Sequence, residues 1–244
     1  LVLFDKITGE TFLVRDHFGC IPLYYSITND FIAFSTEMKP LMLISEVIEM
    51  DNTWILDSLS ASPSEKWRTP YKTIRRLMPG HFLKRSSLLE IKSYWQLEAR
   101  HDKIPHNYNF ALDLLKKRLI NGENMACELS GGLDSSGIAA IAAKEFFQTE
   151  GKFYGLTHTF SDQSLGEYFP YKDERDFSKI VAEYTNIHEQ IYCDADDYRL
   201  LDMLKREILN HSGPVQQSYS RFSDVVYQRA KELGVTRLLS GFGG

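Results

Sequence analysis

The sequence predicts an α/β protein in two parts, an antiparallel β-rich stretch at the front and a parallel-sheet α/β region behind it. Three observations carry that expectation. Over residues 1–35 short apolar runs alternate with turn residues, from residue 125 onward strand-like and helix-like segments alternate, and between them lies a stretch at 96–107 rich in charge and turn formers. The boundaries fall at 1–95 for the front part, 96–109 for a linker and 110–244 for the back part.

Taken in order, residues 1–4 read as a strand, and turns at 6–9, 16–19 and 28–30 divide the chain up to about residue 35 into an antiparallel meander. Residues 46–72 lack a period and read as short helices mixed with loops. Residues 77–83 and 93–95 hold a Pro79-Gly80 turn with flanking aromatics, a pattern open to many sheets, and 96–107 combine charge with turn formers. Next, Ala111, Leu112, Leu114, Leu115 and Leu119 recur at helical spacing. Strands are expected at 125–129, 153–160, 188–192 and 235–239, and helices at 135–147, 174–185, 198–210 and 219–233. That alternation predicts a parallel sheet covered on both faces, with ligands beyond the carboxyl ends of its strands. Two glycine turns, 130–136 and 240–244, fall at such ends.

Composition limits the function classes. At 244 residues and 43% hydrophobic content the chain has ample material for real cores, and 13% aromatic with 25% charged residues is ordinary for a soluble globular protein. A net charge of -5 argues against nucleic acid as a partner. Cys20, Cys127 and Cys193 are widely spaced with no zinc-like pattern, so they read as free thiols in a reducing compartment, the cytoplasm. No apolar run is long enough to span a membrane, and no membrane partner is expected. Because the chain opens inside a strand-like run and stops at Gly243-Gly244 inside a glycine turn, it reads as a fragment, inactive by itself.

The chemistry concentrates in Glu128-Leu129-Ser130-Gly131-Gly132-Leu133-Asp134-Ser135-Ser136. Strand, glycine turn and helix start together make an anion site. Gly131 and Gly132 let backbone N–H groups approach a phosphate, Ser135 and Ser136 open the helix with free donors and hydroxyls, and the helix dipole adds attraction. A carboxylate beside a phosphate is repulsive unless a divalent cation lies between them, so Asp134 points to a nucleotide with Mg²⁺. No lysine comes after the glycines, which separates this string from the common Gly-Lys-Ser/Thr phosphate loop.

The string resembles the pyrophosphate loop of the ATP pyrophosphatases, and in its wording Leu-Ser-Gly-Gly-Leu-Asp-Ser-Ser the asparagine synthetase family. Arg15-Asp16 with Gly19, Pro22-Leu23-Tyr24-Tyr25 and Ser35-Thr36-Glu37 are similar to the back half of that family's glutaminase domain. Of themselves these residues are architectural: a buried Arg-Asp pair, a glycine turn and core tyrosines. The resemblance implies an Ntn-type sandwich remnant in front and an adenine nucleotide α-hydrolase-like domain behind. It implies ATP and Mg²⁺ as cofactors, with Leu129, Ser130, Gly131, Gly132, Asp134, Ser135 and Ser136 around the phosphates and Asp134 as the metal ligand. Ser240 and Gly241 match the family's second nucleotide turn, and His158 falls beside the adenine position. Asp173-Glu174 match a helix-opening pair, for which N-capping suffices.

The implied reaction is attack of a substrate carboxylate on the α phosphorus, release of pyrophosphate, and amidation of the acyl adenylate by ammonia from glutamine, with aspartate and glutamine as substrates. The resemblance also allows a homodimer. The family's glutamine-hydrolysing cysteine and its second magnesium aspartate correspond to positions before Leu1 and after Gly244. Phe242 departs from the family pattern, which has an acidic residue there, and an aromatic fits relatives that use another amine, such as β-lactam or macrolactam-forming cyclases. A tRNA-modifying pyrophosphate-loop enzyme and a non-catalytic relative are the other readings. A basic surface would favour the former, and Asp134 beside intact glycines opposes the latter.

Overall fold

The computed structural model describes the whole chain except residues 29, 46, 61, 63–64, 99–107, 120–123, 147–150, 161–173, 195–198, 214–219 and 243–244. The chain divides into two compact units, Leu1–His101 with Leu204–Gln216, and Asp102–Met203 with Gln217–Gly244.

The first unit contains two antiparallel sheets. One has the order β1 (Val2–Phe4), β2 (Thr11–Val14), β6 (His81–Arg85), β7 (Leu89–Ser93); the other has the order β4 (Ile32–Ser35), β3 (Tyr24–Ile27), β5 (Arg75–Arg76). The expected meander is therefore split: β1 and β2 form one hairpin, β3 and β4 another, and β2 pairs with β6 instead of β3. The polar segment after β2 is the physical reason. Arg15 donates to the carbonyls of Gly19, Ile21 and Leu77, and Asp16 accepts from the N–H groups of Cys20 and Ile21, so the backbone here is spent on a knot and β3 starts in the other sheet. Arg15 is buried but Asp16 is exposed, and no contact ion pair joins them among the described residues, which corrects the expected buried Arg-Asp pair. Inward-facing Leu13 and Leu83 from one sheet join Leu23, Tyr25 and Leu77 in a common core. Two short helices, α1 (Met38–Leu43) and α2 (Asn52–Leu59), lie within or beside the region read as loops and short helices. Asp51 caps α2, accepting from the N–H groups of Thr53 and Trp54.

The second unit is built on a parallel sheet of order β10 (Glu189–Asp194), β9 (Lys152–Thr159), β8 (Asn124–Glu128), β11 (Arg237–Leu239). The middles of its two central strands, 125–127 and 153–157, are buried on both faces, and all of these residues except Thr157 are apolar, aromatic or glycine. One face takes α4 (Leu133–Phe146) and α5 (Arg175–Thr185), through Ala139, Ala142, Ala143, Phe146 and Ala182 against Met125, Cys127, Leu129 and Phe153. The other takes α7 (Ser220–Glu232), through Val225, Val226 and Ala230 against Ala126, Tyr154, Leu156 and Cys193. The alanines of α4 bring that helix close to the sheet, and this fixes where its first turn meets the end of β8. Two further helices are α3 (Tyr108–Leu119) and α6 (Leu200–His211), the latter crossing the division between the units. No helix among the described residues is long and apolar enough to cross a membrane.

Candidate active site

The site begins where β8 ends. Leu129 lies in the core at 1% exposure, so only its backbone faces the loop: its N–H donates to Leu156 O at 2.8 Å and its carbonyl accepts from the Thr157 hydroxyl. The loop then braces itself with hydroxyls. Ser130 Oγ accepts from the Gly132 N–H at 3.2 Å, Ser135 Oγ donates to Gly132 O at 3.2 Å, and the two serine oxygens lie 3.0 Å apart. The first α-helical bond runs from Ser136 N–H to Gly132 O. Helix α4 thus starts at Leu133, two residues before the expected Ser135, and the Ser135 hydroxyl is a brace for the loop, not an open donor. Gly131 has a φ of +83°, and a methyl on it would lie 2.8 Å from the carbonyl carbon of Phe177 at the start of α5. Only glycine fits both demands.

Once this bracing is complete, a set of donors is left unused. None of the described residues accepts from the N–H groups of Gly131, Leu133 or Asp134, which stand at the positive end of a 14-residue helix. Ser136 Oγ is buried with no hydrogen-bond partner among the described residues. Asp134 is exposed in the same turn. The second glycine turn arrives from β11: Ser240 Oγ accepts from the Phe242 N–H at 3.1 Å, and Gly241 sits so close to α4 that a methyl on it would lie 2.7 Å from Ser135 N. The two turns that the sequence places at separate strand ends therefore touch.

A strand-loop-helix with open donors, an exposed carboxylate and a second turn packed against it is shared by many nucleotide sites, and comparison with known proteins narrows the choice. The family model for asparagine synthase matches residues 112–244, and that for a glutamine amidotransferase domain matches residues 1–95. The chain belongs to the asparagine synthase family. It is 27% identical over 225 residues to the asparagine synthetase [glutamine-hydrolyzing] 3 of Bacillus subtilis, covering 85% of this chain and 36% of that protein. Asparagine synthetase [glutamine-hydrolyzing] 1 of the same organism is 27% identical over 212 residues, 80% of this chain and 33% of that protein. Amidase chyE of Penicillium rubens is 29% identical over 161 residues, 58% of this chain and 22% of that protein. The chain spans less than half the length of the curated relatives it matches.

Within this asparagine synthase-type unit the remaining candidates can be placed. His158 is half-buried and makes an edge contact with Phe160 at 5.1 Å; it pairs in register with Cys193, on the α7 side of the sheet, whereas Thr157 faces Leu129. Asp173 lies outside the described residues, and Glu174 has no side-chain capping bond to α5. No cluster of three or more His, Cys, Asp or Glu side chains among the described residues could hold a metal ion. A lone carboxylate such as Asp134 suits Mg²⁺, which takes one or two protein oxygens and completes its shell from substrate phosphates and water. A cavity of about 420 Å³ lies in the first unit, lined by Asp51, Trp67, Arg68, Lys72 and Arg75 among others. Its Arg68 is paired with Asp51 and Glu65, and its Lys72 with Glu49, so those cations are already neutralised.

Three residues escape the sequence reading of the site: Phe177, whose backbone limits Gly131, and Thr157 and Gln190, which meet under the loop. Gln190 Nε2 donates to Thr157 Oγ1 at 2.5 Å. The available signal is a threonine and a glycine, Thr157 and Gly155, inside a strand otherwise apolar enough to be buried on both faces.

Proposed function

We propose that the protein is an ATP-dependent ligase that activates a carboxylate as an acyl adenylate, releases pyrophosphate and forms an amide, with aspartate as the acyl substrate and glutamine-derived ammonia as the nitrogen source. The observation that carries this reading is the contact between the loop 130–136, with its unused N–H donors, and the turn at Ser240 and Gly241, at the carboxyl ends of neighbouring parallel strands. Membership of the asparagine synthase family and the names of its relatives supply the substrates. On the same footing, residues 1–95 act as the glutaminase-type domain, 96–109 as the linker and 110–244 as the synthetase domain, working in the cytoplasm where the free thiols Cys20, Cys127 and Cys193 stay reduced.

In this reading the N–H groups of Gly131, Leu133 and Asp134 hold the pyrophosphate portion of ATP, using donors already aimed before substrate arrives. Mg²⁺ held by Asp134 would neutralise charge that builds on the departing pyrophosphate. Ser130 and Ser135 keep the donors in place. Gly241 closes the second side of the nucleotide site without a side chain that would press on Ser135. The test is ATP-pyrophosphate exchange by the full-length protein with Mg²⁺, with and without aspartate. Exchange that depends on aspartate is expected, and Asp134→Ala is expected to lower it by at least about a hundredfold. Full activity in Asp134→Ala would overturn the metal assignment.

One observation favours a second reading of the acceptor. Phe242, 89% exposed and next to Gly241, presents an apolar ring that neither accepts a proton nor holds an ammonium ion. It suits a bulkier amine, as in a macrolactam or β-lactam-forming cyclase, and not every relative is named as an asparagine synthetase. Exchange with a peptide or amino-acid derivative but not with aspartate would select this reading.

A further inference from the structure

Resting on the nucleotide reading above, the geometry points to Thr157 and Gln190 as positioning residues for the phosphate-binding loop, acting through the carbonyl of Leu129. Thr157 is 1% exposed in β9, on the sheet face that otherwise packs Phe153 against α4, so its hydroxyl has no water to turn to. It donates to Leu129 O, at 2.5 Å. That carbonyl belongs to the peptide unit that enters the loop, and the N–H of the same unit, on Ser130, meets Ser135 Oγ at 3.4 Å. A peptide unit is planar, so pinning both its edges fixes the direction in which the chain leaves β8 and hence where the N–H groups of Gly131, Leu133 and Asp134 aim.

Gln190 decides where the single Thr157 proton goes. With Nε2 donating to Thr157 Oγ1, the hydroxyl is used as an acceptor by the amide and can give its proton only to Leu129. With an acceptor in place of that Nε2, Thr157 would donate toward β10 and release the Leu129 carbonyl. Gly155 makes room for the amide: it pairs with Gln190 in register, and any side chain on it would overlap Gln190 Oε1. Oε1 is itself buried with no hydrogen-bond partner among the described residues.

The test uses the full-length protein, with Mg²⁺-ATP, inorganic pyrophosphate with Mg²⁺, and adenosine as three separate calorimetric probes. Thr157→Val keeps the shape and removes the hydroxyl. It is expected to weaken pyrophosphate and ATP about tenfold, the effect of losing one well-placed hydrogen bond, and to leave adenosine unchanged. Thr157→Ser is expected to match the wild type. Gln190→Glu replaces a donor by an acceptor and is expected to mimic Thr157→Val although Thr157 is intact; it also carries the comparison if Thr157→Val does not fold. A purely structural role would lower the melting temperature with no selective loss of pyrophosphate, and that result overturns the proposal. So does wild-type affinity in both variants. Failure of the wild type to bind ATP or pyrophosphate overturns the nucleotide reading, and the positioning role falls with it.

Discussion

The turn at Asp16 to Gly19 in the first unit and the loop at Ser130 to Ser136 in the second are made of similar parts, a left-handed glycine beside short polar side chains, yet they end in opposite states. In the first, the polar groups are saturated by backbone partners, with Arg15 buried and Asp16 at the surface. Arg15 gives Nη1 to Leu77 O at 2.7 Å, Nη2 to Gly19 O at 3.0 Å and Nε to Ile21 O at 3.2 Å, while the Asp16 carbonyl takes the N–H groups of Gly19 and Gly80. The Cys20 N–H, with help from those of Ile21 and Gly19, outweighs partial burial and holds the Asp16 carboxyl below the usual carboxylate range. In the second, the hydroxyls are spent on bracing and the leading N–H groups of α4 are left over. A saturated turn holds a fold together, and a braced turn with surplus donors holds a ligand.

The change expected to break the comparison most severely is Gly131→Ala. It forces a left-handed residue to carry a Cβ and drives that atom into the backbone of Phe177 and Ser178. The left-handed conformation alone costs about 1–2 kcal/mol, and relieving the overlap moves α5, so a loss of about 3 kcal/mol or more is expected. Urea denaturation followed in the second unit, together with pyrophosphate affinity, measures it. A variant with wild-type stability would mean that the loop is slack and the donors are not held.

Next in size is Arg15→Met, the counterpart in the saturated turn. It keeps the aliphatic stem and leaves three carbonyl acceptors without their donor, of which Leu77 O is buried. About 1–3 kcal/mol of stability should be lost from the first unit, the cost of leaving one buried group unsatisfied. Pyrophosphate affinity is expected to stay at the wild-type value. If affinity falls as well, the first turn contributes to binding and the contrast between the two turns fails.

These two turns also show how far the sequence alone reaches. The loop 130–136 is legible because its chemistry is local: strand, glycines and helix start lie within nine residues, and the spacing itself encodes the anion site. The parallel sheet is legible because strands and helices alternate, and a central strand such as β8 reads as a short apolar run. The split of the front strands into two sheets is not, because nothing within residues 11–27 says that β2 will pair with β6, some 70 residues later. Arg15 and Asp16 read as a buried pair because opposite charges lie side by side; the fold instead buries Arg15 among carbonyls and leaves Asp16 exposed on backbone N–H groups. The same limit hides Thr157 and Gln190, 33 positions apart, whose meaning appears only when β9 and β10 are set in register.

A moderate effect separates the units by pH. Burial pushes the Cys127 thiol up to about 12 and the Cys193 thiol up to about 11, with Glu128 and Glu232 adding to the rise while Arg229 opposes it at Cys193. A raised folded-state value means that the protonated thiol is favoured by folding. Its contribution is complete below the unfolded thiol value of about 8.5 and is lost as pH rises through the folded values. The second unit should therefore weaken from about pH 9 upward. In the first unit the phenols of Tyr25 and Tyr71, also raised by burial, give the same sign beginning about one pH unit or more higher. Cys127 and Cys193 are buried and held as thiols, so only the exposed Cys20 should react with iodoacetamide in the native protein at about pH 8. Rapid labelling of Cys127 under native conditions would show that the β8 core opens.

The smallest expected effect is the most discriminating, because its sign is reversed. Gly137 also lies in α4, only one turn beyond the loop, but it has no positive φ, and a methyl on it meets nothing within 4 Å. Glycine inside a helix costs about 0.5–1 kcal/mol relative to alanine through the freedom it gives the unfolded chain. Gly137→Ala should therefore stabilise the second unit by up to about 1 kcal/mol and leave pyrophosphate affinity unchanged. Gly241→Ala, where a methyl would press on Ser135 N, should do the opposite on both counts. If Gly137→Ala were also to weaken binding, the donors would depend on flexibility in the first turn of α4, and a loop braced in advance by Ser130, Ser135 and Thr157 could not be the source of affinity.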